Sequence, residues 1–343
     1  MTETEEQVVR IGIDIGYGYA KGAWIIDGKM HSLSFPSVLG RAETLARVQV
    51  GMPGGGQHRR VQTIGYKGQT YFVGKGALIE SRMLASRQDA ERIGSTEERV
   101  LMLAALARAK VSQALVVTGL PVFWWKRRQR LINSWVGEHQ ITVNKKPQTI
   151  TVQEVRAAWQ PIGSFYARYL GNDGVAVENG LKSRGFGVID IGTNTTDFSG
   201  LIGLRPVARF SGSVRSGVRD ALGVIAAHIE QTYGVTREIA ELAEALEGRG
   251  TVTVFKDEVP LAELAESACE SLSQEIVSQA TSKWGQGDRF YQILITGGGA
   301  ALVGKAVKAA FPQNSEVMAR SAMANAEGFA RYAQRQIFKA DKR

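Results

Sequence analysis

The amino-acid sequence predicts an α/β protein made of two domains that share one plan. Its 343 residues exceed the size at which a single hydrophobic core usually stops growing. The tetrapeptide Ile13-Asp14-Ile15-Gly16 recurs as Ile189-Asp190-Ile191-Gly192, and each copy closes an apolar run typical of a strand. A turn and further strands follow each copy, which indicates an internal duplication.

In the first half, apolar alternation and turn residues predict a strand meander followed by helices and more strands. Asp27-Gly28 is typical of a two-residue hairpin turn, and Ser95-Thr96-Glu97-Glu98 has the capping-box spacing of a helix start. The glycine-rich residues 36–75, with a loop at 51–56, predict a small insertion. The expected strands are 8–15, 22–26, 29–35, 69–73, 114–119, 140–143 and 149–155, and the expected helices are 96–109, 126–135 and 157–170.

The second half repeats the meander and then becomes mainly helical. The expected strands are 186–191, 198–202, 206–210, 251–255 and 291–296, and the expected helices are 217–233, 261–284, 300–310 and 322–338. A second insertion is expected at about 235–285. We therefore expect domain I at residues 1–170, domain II at 171–320, and at 321–343 a C-terminal helix that packs back on domain I.

The composition is that of an ordinary globular chain with an excess of positive charge. Hydrophobic residues make up 44% and charged residues 22%, which argues against disorder and against a coiled coil. Lys and Arg number 42 against 33 Asp and Glu, so polyanions are electrostatically favoured neighbours. The basic residues are scattered, with groups at 58–60 and 126–130, and ordinary solvated surface explains them better than a nucleic-acid site.

The sequence carries no sign of export or membrane insertion. The acidic residues at 1–6 lack the basic and apolar parts of a signal peptide, and no window is apolar enough for a membrane span. The single cysteine, Cys269, cannot form an intrachain disulfide and is most simply a buried apolar residue. We therefore expect a cytoplasmic protein with no membrane partner.

The first glycine-rich turn has the chemistry of a phosphate site. Gly16 and Gly18 follow a strand, where they let the backbone turn sharply and point N–H groups at an anion, and Lys21 adds positive charge. Asp14 ends an otherwise apolar strand, where burial is costly unless a cation or a donor offsets it. Mg²⁺ held through bound water would do so.

The second turn offers the same arrangement from the other domain. Gly192, Thr193 and Asn194 follow Asp190, with a hydroxyl and an amide but without a lysine. Two facing acid-tipped turns suit a metal–phosphate complex in a cleft. The alternative is a pair of hairpin turns whose Asp side chains cap their own backbone, and the duplication favours the first interpretation.

Other nucleotide and catalytic motifs are excluded. Residues 299–306 have Walker A spacing, but Ala306 replaces the Ser or Thr that ligates Mg²⁺, and the stretch is helical. Gly16, Gly18 and Gly22 resemble a relaxed dinucleotide fingerprint, yet a strand follows them where that motif needs a helix. Four histidines and one cysteine have no metal-ligand spacing.

These features together resemble the actin-like ATPase superfamily, which includes actin, the heat-shock chaperone ATPases and the sugar kinases. The resemblance implies an actin-like fold, in which two duplicated RNase H-like α/β domains with small inserted subdomains surround a nucleotide cleft. The stretch from Asp14 to Lys21 is similar to the first phosphate loop of that family, and the stretch from Asp190 to Asn194 to the second. The nucleotide-binding residues that the resemblance implies are Gly16, Tyr17, Gly18, Lys21, Gly192, Thr193, Asn194, Gly217 and the adenosine-motif glycines Gly297, Gly298 and Gly299.

Gln160, in Trp159-Gln160-Pro161 at a helix start, resembles the Gln or Glu with which the family positions an attacking water. An uncharged Gln is sufficient because phosphoryl transfer relies mostly on placement and charge neutralisation. The alternative is a helix-start residue without a special role, and the two phosphate loops favour the first. The resemblance thus implies Gln160, Asp190 and Asp14 as catalytic residues, ATP or GTP as the nucleotide, and Mg²⁺ held by Asp14 and Asp190 through water.

Length and short insertions make the chain most similar to the bacterial and archaeal filament-forming actins of the ParM/StbA plasmid-segregation type. That likeness implies self-assembly into ATP-dependent filaments and an adaptor protein bound to centromere-like DNA, so direct DNA binding is not required. A small-molecule kinase, a non-polymerising scaffold ATPase and a plain nucleic-acid binder stay open as alternatives. Trp124-Trp125, beside the basic segment, is either a contact surface or part of the core.

Overall fold

The computed structural model describes residues 7–42, 62–81, 84–85, 90–335 and 337–338. The predicted loop at 51–56, the basic group at 58–60 and the charged residues at 339–343 lie outside the described residues. Within the described part, the chain folds into two α/β halves, each built around its own main sheet.

The N-terminal half follows the predicted order of elements. Its strands are β1 (Val9–Ile15), β2 (Tyr19–Ile26), β3 (Lys29–Pro36), β4 (Leu39–Arg41), β5 (Thr63–Tyr66), β6 (Gln69–Val73), β7 (Leu84–Ala85), β8 (Gln113–Leu120), β9 (Gly137–Val143) and β10 (Lys146–Trp159). Its helices are α1 (Lys75–Glu80), α2 (Thr96–Arg108), α3 (Arg128–Trp135) and α4 (Gln160–Tyr169), with 3₁₀ turns at Ala90–Arg92 and Val122–Arg127.

The C-terminal half repeats this plan with more helix. Its strands are β11 (Gly185–Ile191), β12 (Thr196–Ile202), β13 (Arg205–Pro206), β14 (Gly212–Val214), β15 (Thr251–Val254), β16 (Asp257–Pro260), β17 (Gln292–Thr296) and β18 (Ser315–Val317). Its helices are α5 (Val218–Tyr233), α6 (Ile239–Glu247), α7 (Ala262–Trp284), α8 (Ala300–Ala309) and α9 (Ala324–Ala333), with 3₁₀ turns at Leu181–Ser183, Ala208–Phe210 and Ser321–Met323.

Strand order and direction confirm the duplication. In the first sheet, β1 pairs antiparallel with β2 and parallel with β8, and β8 pairs parallel with β10. In the second sheet, β11 pairs antiparallel with β12 and parallel with β17, and β17 pairs parallel with β18. Helix α4 follows β10 and α9 follows β18, so these two helices occupy equivalent places in the two halves.

The described strands of the first predicted insertion extend the main sheet. Beyond β10 and β9, the sheet continues through β5, β6, β4 and β7. In the C-terminal half, the β15–β16 hairpin forms a separate two-stranded sheet. The domain boundaries at 170/171 and 320/321 stay predictions.

Local chemistry at two predicted positions agrees with the structure. Asp27 and Gly28 both have positive φ, 50° and 73°, as a two-residue hairpin turn requires. Ser95 caps α2, because its hydroxyl accepts the Glu98 N–H at 3.1 Å. The Glu98 carboxylate bonds the Gly94 N–H, one residue earlier than a strict capping box would place it.

Three element predictions were wrong in detail. The helix predicted at 157–170 begins at Gln160, because β10 continues to Trp159 and pairs there with Leu120 of β8. In place of the strand predicted at 206–210, the structure has the end of β13 and the 3₁₀ turn Ala208–Phe210. The final helix, predicted at 322–338, spans Ala324–Ala333, and Phe338 beyond it is buried in an apolar cluster with Phe329.

Helices α4 and α9 come into direct contact at the point where each carries a glycine, Gly163 in α4 and Gly328 in α9. A Cβ placed on Gly328 of α9 would come within 1.7 Å of the Gly163 carbonyl oxygen of α4. A Cβ on Gly12 of β1 would lie 2.2 Å from the Ala326 carbonyl oxygen, so α9 also rests directly on the first sheet. Backbone-to-backbone packing therefore fixes α4, α9 and β1 against one another.

A membrane-crossing helix is not found in the described part of the chain, because none there is both long and apolar enough.

Candidate functional site

A cleft of about 300 Å³ lies between the two halves, where β1 and β11 end. Eleven of the residues predicted for the site line this cleft, and they come from both halves. These residues are Asp14, Gly16, Tyr17, Gly18, Lys21, Gln160, Asp190, Gly192, Thr193, Gly297 and Gly298. The fold therefore brings the two acid-tipped turns together in one space.

The two turns have the same backbone geometry and touch each other. The Gly16 N–H bonds the Tyr19 carbonyl at 3.0 Å, and the Gly192 N–H bonds the Thr195 carbonyl at 2.8 Å. A Cβ on Gly18 would stand 2.4 Å from the Thr193 hydroxyl oxygen. A side chain at position 18 would therefore meet the Thr193 hydroxyl of the opposite turn.

Asp14 is held on two sides by partners from its own half. Its side chain is only 2% exposed, and the Lys21 ammonium lies 3.6 Å from Oδ2 across the β1–β2 pair. The Gln160 amide donates to Oδ1 at 2.8 Å from the first residue of α4. Because a carboxylate can only accept, the amide nitrogen of Gln160 faces Asp14, and its Oε1 is left as an acceptor.

Asp190 ends β11 and is almost as deeply buried, at 5% exposure. Its Oδ2 accepts the Asn325 amide N–H at 2.7 Å. Burial raises the pKa of Asp190 to about 7, and the Asp14 and Asp197 carboxylates add to that rise, while the Asn325 amide and Lys21 oppose it.

Asp197 is a third buried carboxylate, which the sequence analysis did not place in the site. It stands opposite Asp190 in the β11–β12 register. Its Oδ1 accepts the Val122 N–H of the N-terminal half at 3.0 Å and also the Ser213 hydroxyl, so it connects the two halves. Burial raises the pKa of Asp197 to about 6, against these hydrogen bonds. The sequence feature that could have identified Asp197 is an aspartate in the strand that pairs with the Asp190 strand across the hairpin.

The cleft therefore carries more negative than positive charge. The carboxyl groups of Asp14, Asp190, Asp197 and Glu98 line it, together with the side chains of Lys21 and Arg92. Asp14 Oδ2 is a buried oxygen that finds no hydrogen-bond partner among the residues that the structure describes. Among the described residues, no group of three or more His, Cys, Asp or Glu side chains could hold a metal ion by itself. A divalent cation here would need water or phosphate oxygens as further ligands, as Mg²⁺ usually does.

Arg92 also lines the cleft and supports the first turn, and no sequence motif pointed to it. It is 7% exposed, donates from Nη2 to the Gly16 carbonyl at 2.8 Å, and lies over the Tyr17 ring with its Cζ 4.8 Å from the ring centroid. The buried Glu98 faces it, and burial raises the pKa of that carboxyl to about 7. Arg92 thus joins the 3₁₀ turn at Ala90–Arg92 to the phosphate-loop candidate, beside the start of α2.

The Gly297–Gly299 turn approaches the second acidic turn very closely. Gly297 has a φ of 88°, and a Cβ there would come within 2.4 Å of Asp190 Oδ1. Gly217 and Gly299 do not line the cleft: Cβ atoms on them would meet the Gly192 carbonyl oxygen at 2.7 Å and Ile191 Cγ2 at 2.5 Å. They pack behind the turn, and Asn194 lies half-buried within it. Their nucleotide contacts stay predictions.

For Trp124 and Trp125, the sequence left a contact surface and the core as alternatives, and the structure gives each of them part of both. Trp124 and Trp125 are half-buried and pack against the N-terminal core, and Trp124 also lines the cleft. Phe123 beside them is 60% exposed, with the Arg215 guanidinium 5.6 Å from its ring centroid. The exposed aromatic side chain of this segment is therefore Phe123, with the Arg215 guanidinium beside it.

Two family models match the chain, one for each half. The model described as "Actin like proteins N terminal domain" matches residues 12–163. The model described as "Archaeal actin homologue MreB-like, C-terminal" matches residues 188–309. A search of curated protein sequences gives no match.

Solved structures of low sequence identity share the fold over almost the whole chain. The archaeal actin homologue Ta0583 is 22% identical with a TM-score of 0.79, and covers 96% of this chain and 100% of its own. The same protein in complex with ADP is 23% identical with a TM-score of 0.77, at the same coverages. A 15-stranded ParM filament from Clostridium botulinum is 22% identical with a TM-score of 0.75, and covers 96% of this chain and 99% of that chain.

Proposed function

Because the chain belongs to the actin-like superfamily, we propose that it is an ATPase that assembles with copies of itself into nucleotide-dependent filaments. The observation that carries the proposal is the meeting of Asp14, Lys21, Gln160 and Asp190 in one cleft between two duplicated halves. An actin homologue of the same fold is known in complex with ADP, and a ParM of the same fold is known as a filament.

The glycine turns suit the phosphates of a nucleotide. Gly16 and Gly18 from one half and Gly192 from the other leave backbone exposed in the cleft, where side chains would close it. Lys21 Nζ, already 3.6 Å from Asp14, offers a positive charge to a phosphate oxygen. Gly297 and Gly298 line the same cleft and leave room for the ribose and base beside the second turn.

The residues present fit Mg²⁺. Within the described part of the chain, no group donates a hydrogen bond to the buried Asp14 Oδ2, and burial near other carboxylates raises the pKa of Asp190. A cation would therefore stabilise the charged forms of both carboxyl groups. Asp14 and Asp190 would hold it through water. When bound, Mg²⁺ neutralises charge on the phosphate oxygens in the transition state.

Gln160 is placed to orient the attacking water. Its amide nitrogen is used by Asp14, so Oε1 is the atom that accepts a water O–H. The hydrogen bond to Asp14 fixes the side chain, and the N-terminus of α4 fixes its backbone. Placement of this kind is what phosphoryl transfer requires from a protein.

The filament part of the proposal couples the cleft to assembly. Nucleotide between the turns draws the two halves together, and its hydrolysis removes the phosphate that bridges them. ATP-bound subunits would assemble and ADP-bound subunits dissociate. We propose plasmid or other DNA segregation as the use of these filaments, through an adaptor protein bound to centromere-like DNA, with ATP or GTP as fuel.

Two measurements test this function together. Phosphate release from ATP and GTP is measured with Mg²⁺ and with EDTA, and polymer is measured by sedimentation and negative-stain microscopy with ATP and with ADP. We expect Mg²⁺-dependent turnover, and polymer with ATP that shortens with ADP. Turnover that depends on an added small molecule without any polymer would instead indicate a kinase, and ATP binding without polymer would indicate a scaffold.

A further inference from the structure

The two acidic turns receive matching hydrogen bonds from equivalent helices. Gln160, the first residue of α4, donates its amide N–H to Asp14 at 2.8 Å. Asn325, the second residue of α9, donates its amide N–H to Asp190 at 2.7 Å. Since α4 and α9 each follow the last strand of their own half, Asn325 is the structural counterpart of Gln160.

The orientation of the Asn325 amide is fixed by Ser164 of α4. The Ser164 N–H donates to Asn325 Oδ1 at 3.1 Å, and the Ser164 hydroxyl donates to the same oxygen at 2.7 Å. A backbone N–H can only donate, so the oxygen of the amide must face Ser164. The nitrogen therefore faces Asp190, and its hydrogen bond favours the carboxylate form.

Asn325 is also fixed in position. It is 4% exposed, and a Cβ on Gly163 would lie 2.8 Å from its Cα, so the α4 backbone presses directly on it. The Ser164 hydroxyl is in turn 2.8 Å from the hydroxyl of Thr296, which stands beside Asp190 in the β11–β17 register. The amide thus belongs to a closed, buried polar network around one carboxylate.

Oδ1 is the Asp190 oxygen that remains available to a ligand in the cleft. Asn325 takes Oδ2, whereas Oδ1 lies next to Gly297, one of the cleft-lining glycines. A rotation of the carboxylate would break the Asn325 bond. The network therefore determines which oxygen a metal-bound water can meet.

We propose that Asn325 is the positioning residue of Asp190, which aims Oδ1 at a Mg²⁺–nucleotide complex and couples that carboxylate through Ser164 to α4 and Gln160. The inference rests on the proposed function, because it assigns Asn325 a part in that same site. The amides of Gln160 and Asn325 then have equivalent roles, one at each acidic turn.

The test separates positioning from a merely structural role. Asn325→Asp keeps the shape of the side chain and can still accept both hydrogen bonds that Ser164 donates. It replaces the amide N–H that faces Asp190 by an oxygen. Asn325→Ala removes both functions. Asn133→Ala is the matched control, because it makes the same change at an exposed asparagine of α3 that does not line the cleft. Circular dichroism and thermal unfolding establish which variants fold.

The readout is equilibrium binding of a fluorescent ATP analogue, with Mg²⁺ and with EDTA. We expect Asn325→Ala and Asn325→Asp to weaken binding in Mg²⁺ by about 10- to 100-fold, as loss of a partner that orients a metal ligand does, with little change in EDTA. Asn133→Ala should stay near wild type. Should Asn325→Ala not fold, the isosteric Asp variant decides.

Wild-type Mg²⁺-dependent binding by Asn325→Asp would overturn the proposal, since the Ser164 bonds would then be all that matters. Equal losses in Mg²⁺ and in EDTA would overturn it as well, because they indicate a general disturbance of the cleft. If the wild-type chain itself shows no Mg²⁺-dependent binding, the proposed function fails, and this inference fails with it.

Discussion

Asp190 and Asp197 lie directly opposite each other on antiparallel strands, and burial raises the pKa of both carboxyls, to about 7 and about 6. One of them faces the Asn325 amide and the other joins the two halves of the molecule through Val122. The same hairpin that presents an acidic group to the cleft therefore also connects the cleft to the opposite half.

Loss of the Asp190 charge should abolish turnover without unfolding the chain. Asp190→Asn keeps the size of the side chain, and its carbonyl oxygen can still accept the Asn325 N–H. We expect ATP turnover to fall by at least about 100-fold, because an electrostatic contact with the reacting phosphates is removed. Phosphate release measures the effect. Asp288→Asn, on an exposed turn, is the control, and normal turnover in Asp190→Asn would reject the site assignment.

Gln160 should affect the chemical step more than nucleotide binding. Gln160→Ala leaves the glycine turns and Lys21 in place, so nucleotide affinity should change little. The rate constant kcat should fall by about 100-fold, because the water loses its orientation. Steady-state kinetics separates kcat from KM, and titration of a fluorescent nucleotide gives the affinity. A rise in KM with unchanged kcat would assign Gln160 to binding instead.

Asp197 should stabilise the contact between the halves. Asp197→Ala removes the acceptor of the Val122 N–H and of the Ser213 hydroxyl. The expected loss is about 1–3 kcal/mol in the free energy of unfolding, which urea denaturation measures. Ser213→Ala removes one of these bonds and the Phe123 N–H bond that the Ser213 hydroxyl accepts, but it keeps the Val122 bond and should cost less. An Asp197→Ala variant as stable as the wild type would mean that this contact contributes nothing to the closed arrangement.

Glu98 should make stability depend on pH. Burial raises the pKa of its carboxyl from 4.5 to about 7, so its contribution to stability is fully present below pH 4.5 and is lost as the pH rises through about 7. Between pH 5 and pH 8, the wild type should lose about 2–3 kcal/mol relative to Glu98→Gln, whose amide does not titrate.

Denaturation of both proteins across that pH range gives the difference. The Arg92 and Arg130 side chains that face Glu98 are present in both proteins, so the difference between the two profiles isolates the Glu98 carboxyl. Parallel pH profiles for the two proteins would show that Glu98 titrates normally.

The duplicated order of strands and turns was predictable because it follows from local sequence patterns. The two Ile-Asp-Ile-Gly strand ends and the glycines at 16, 18, 192 and 297 sit at strand-to-turn transitions, which sequence periodicity locates well. The position of α4 was missed by three residues, since pairing of Trp159 with Leu120 is a long-range contact that prolongs the strand.

The supporting residues were not predictable for a different reason. Asn325 and Arg92 stand far along the chain from Asp190 and Gly16, and their partners are set by helix packing. Asn325 stands between alanines in the first turn of an amphipathic helix, a pattern that gives no chemical signal. Asp197 carried a weak signal, because the hairpin register places it across from Asp190.

The most direct test of the account is a structure of the chain bound to Mg²⁺ and a non-hydrolysable ATP analogue. We predict phosphates between Gly16–Gly18 and Gly192–Thr193, with the cation between the carboxylates of Asp14 and Asp190 and with Gln160 Oε1 turned toward the terminal phosphate. A nucleotide bound elsewhere, or one in this cleft with Asp14 and Asp190 directed away from it, would contradict the account.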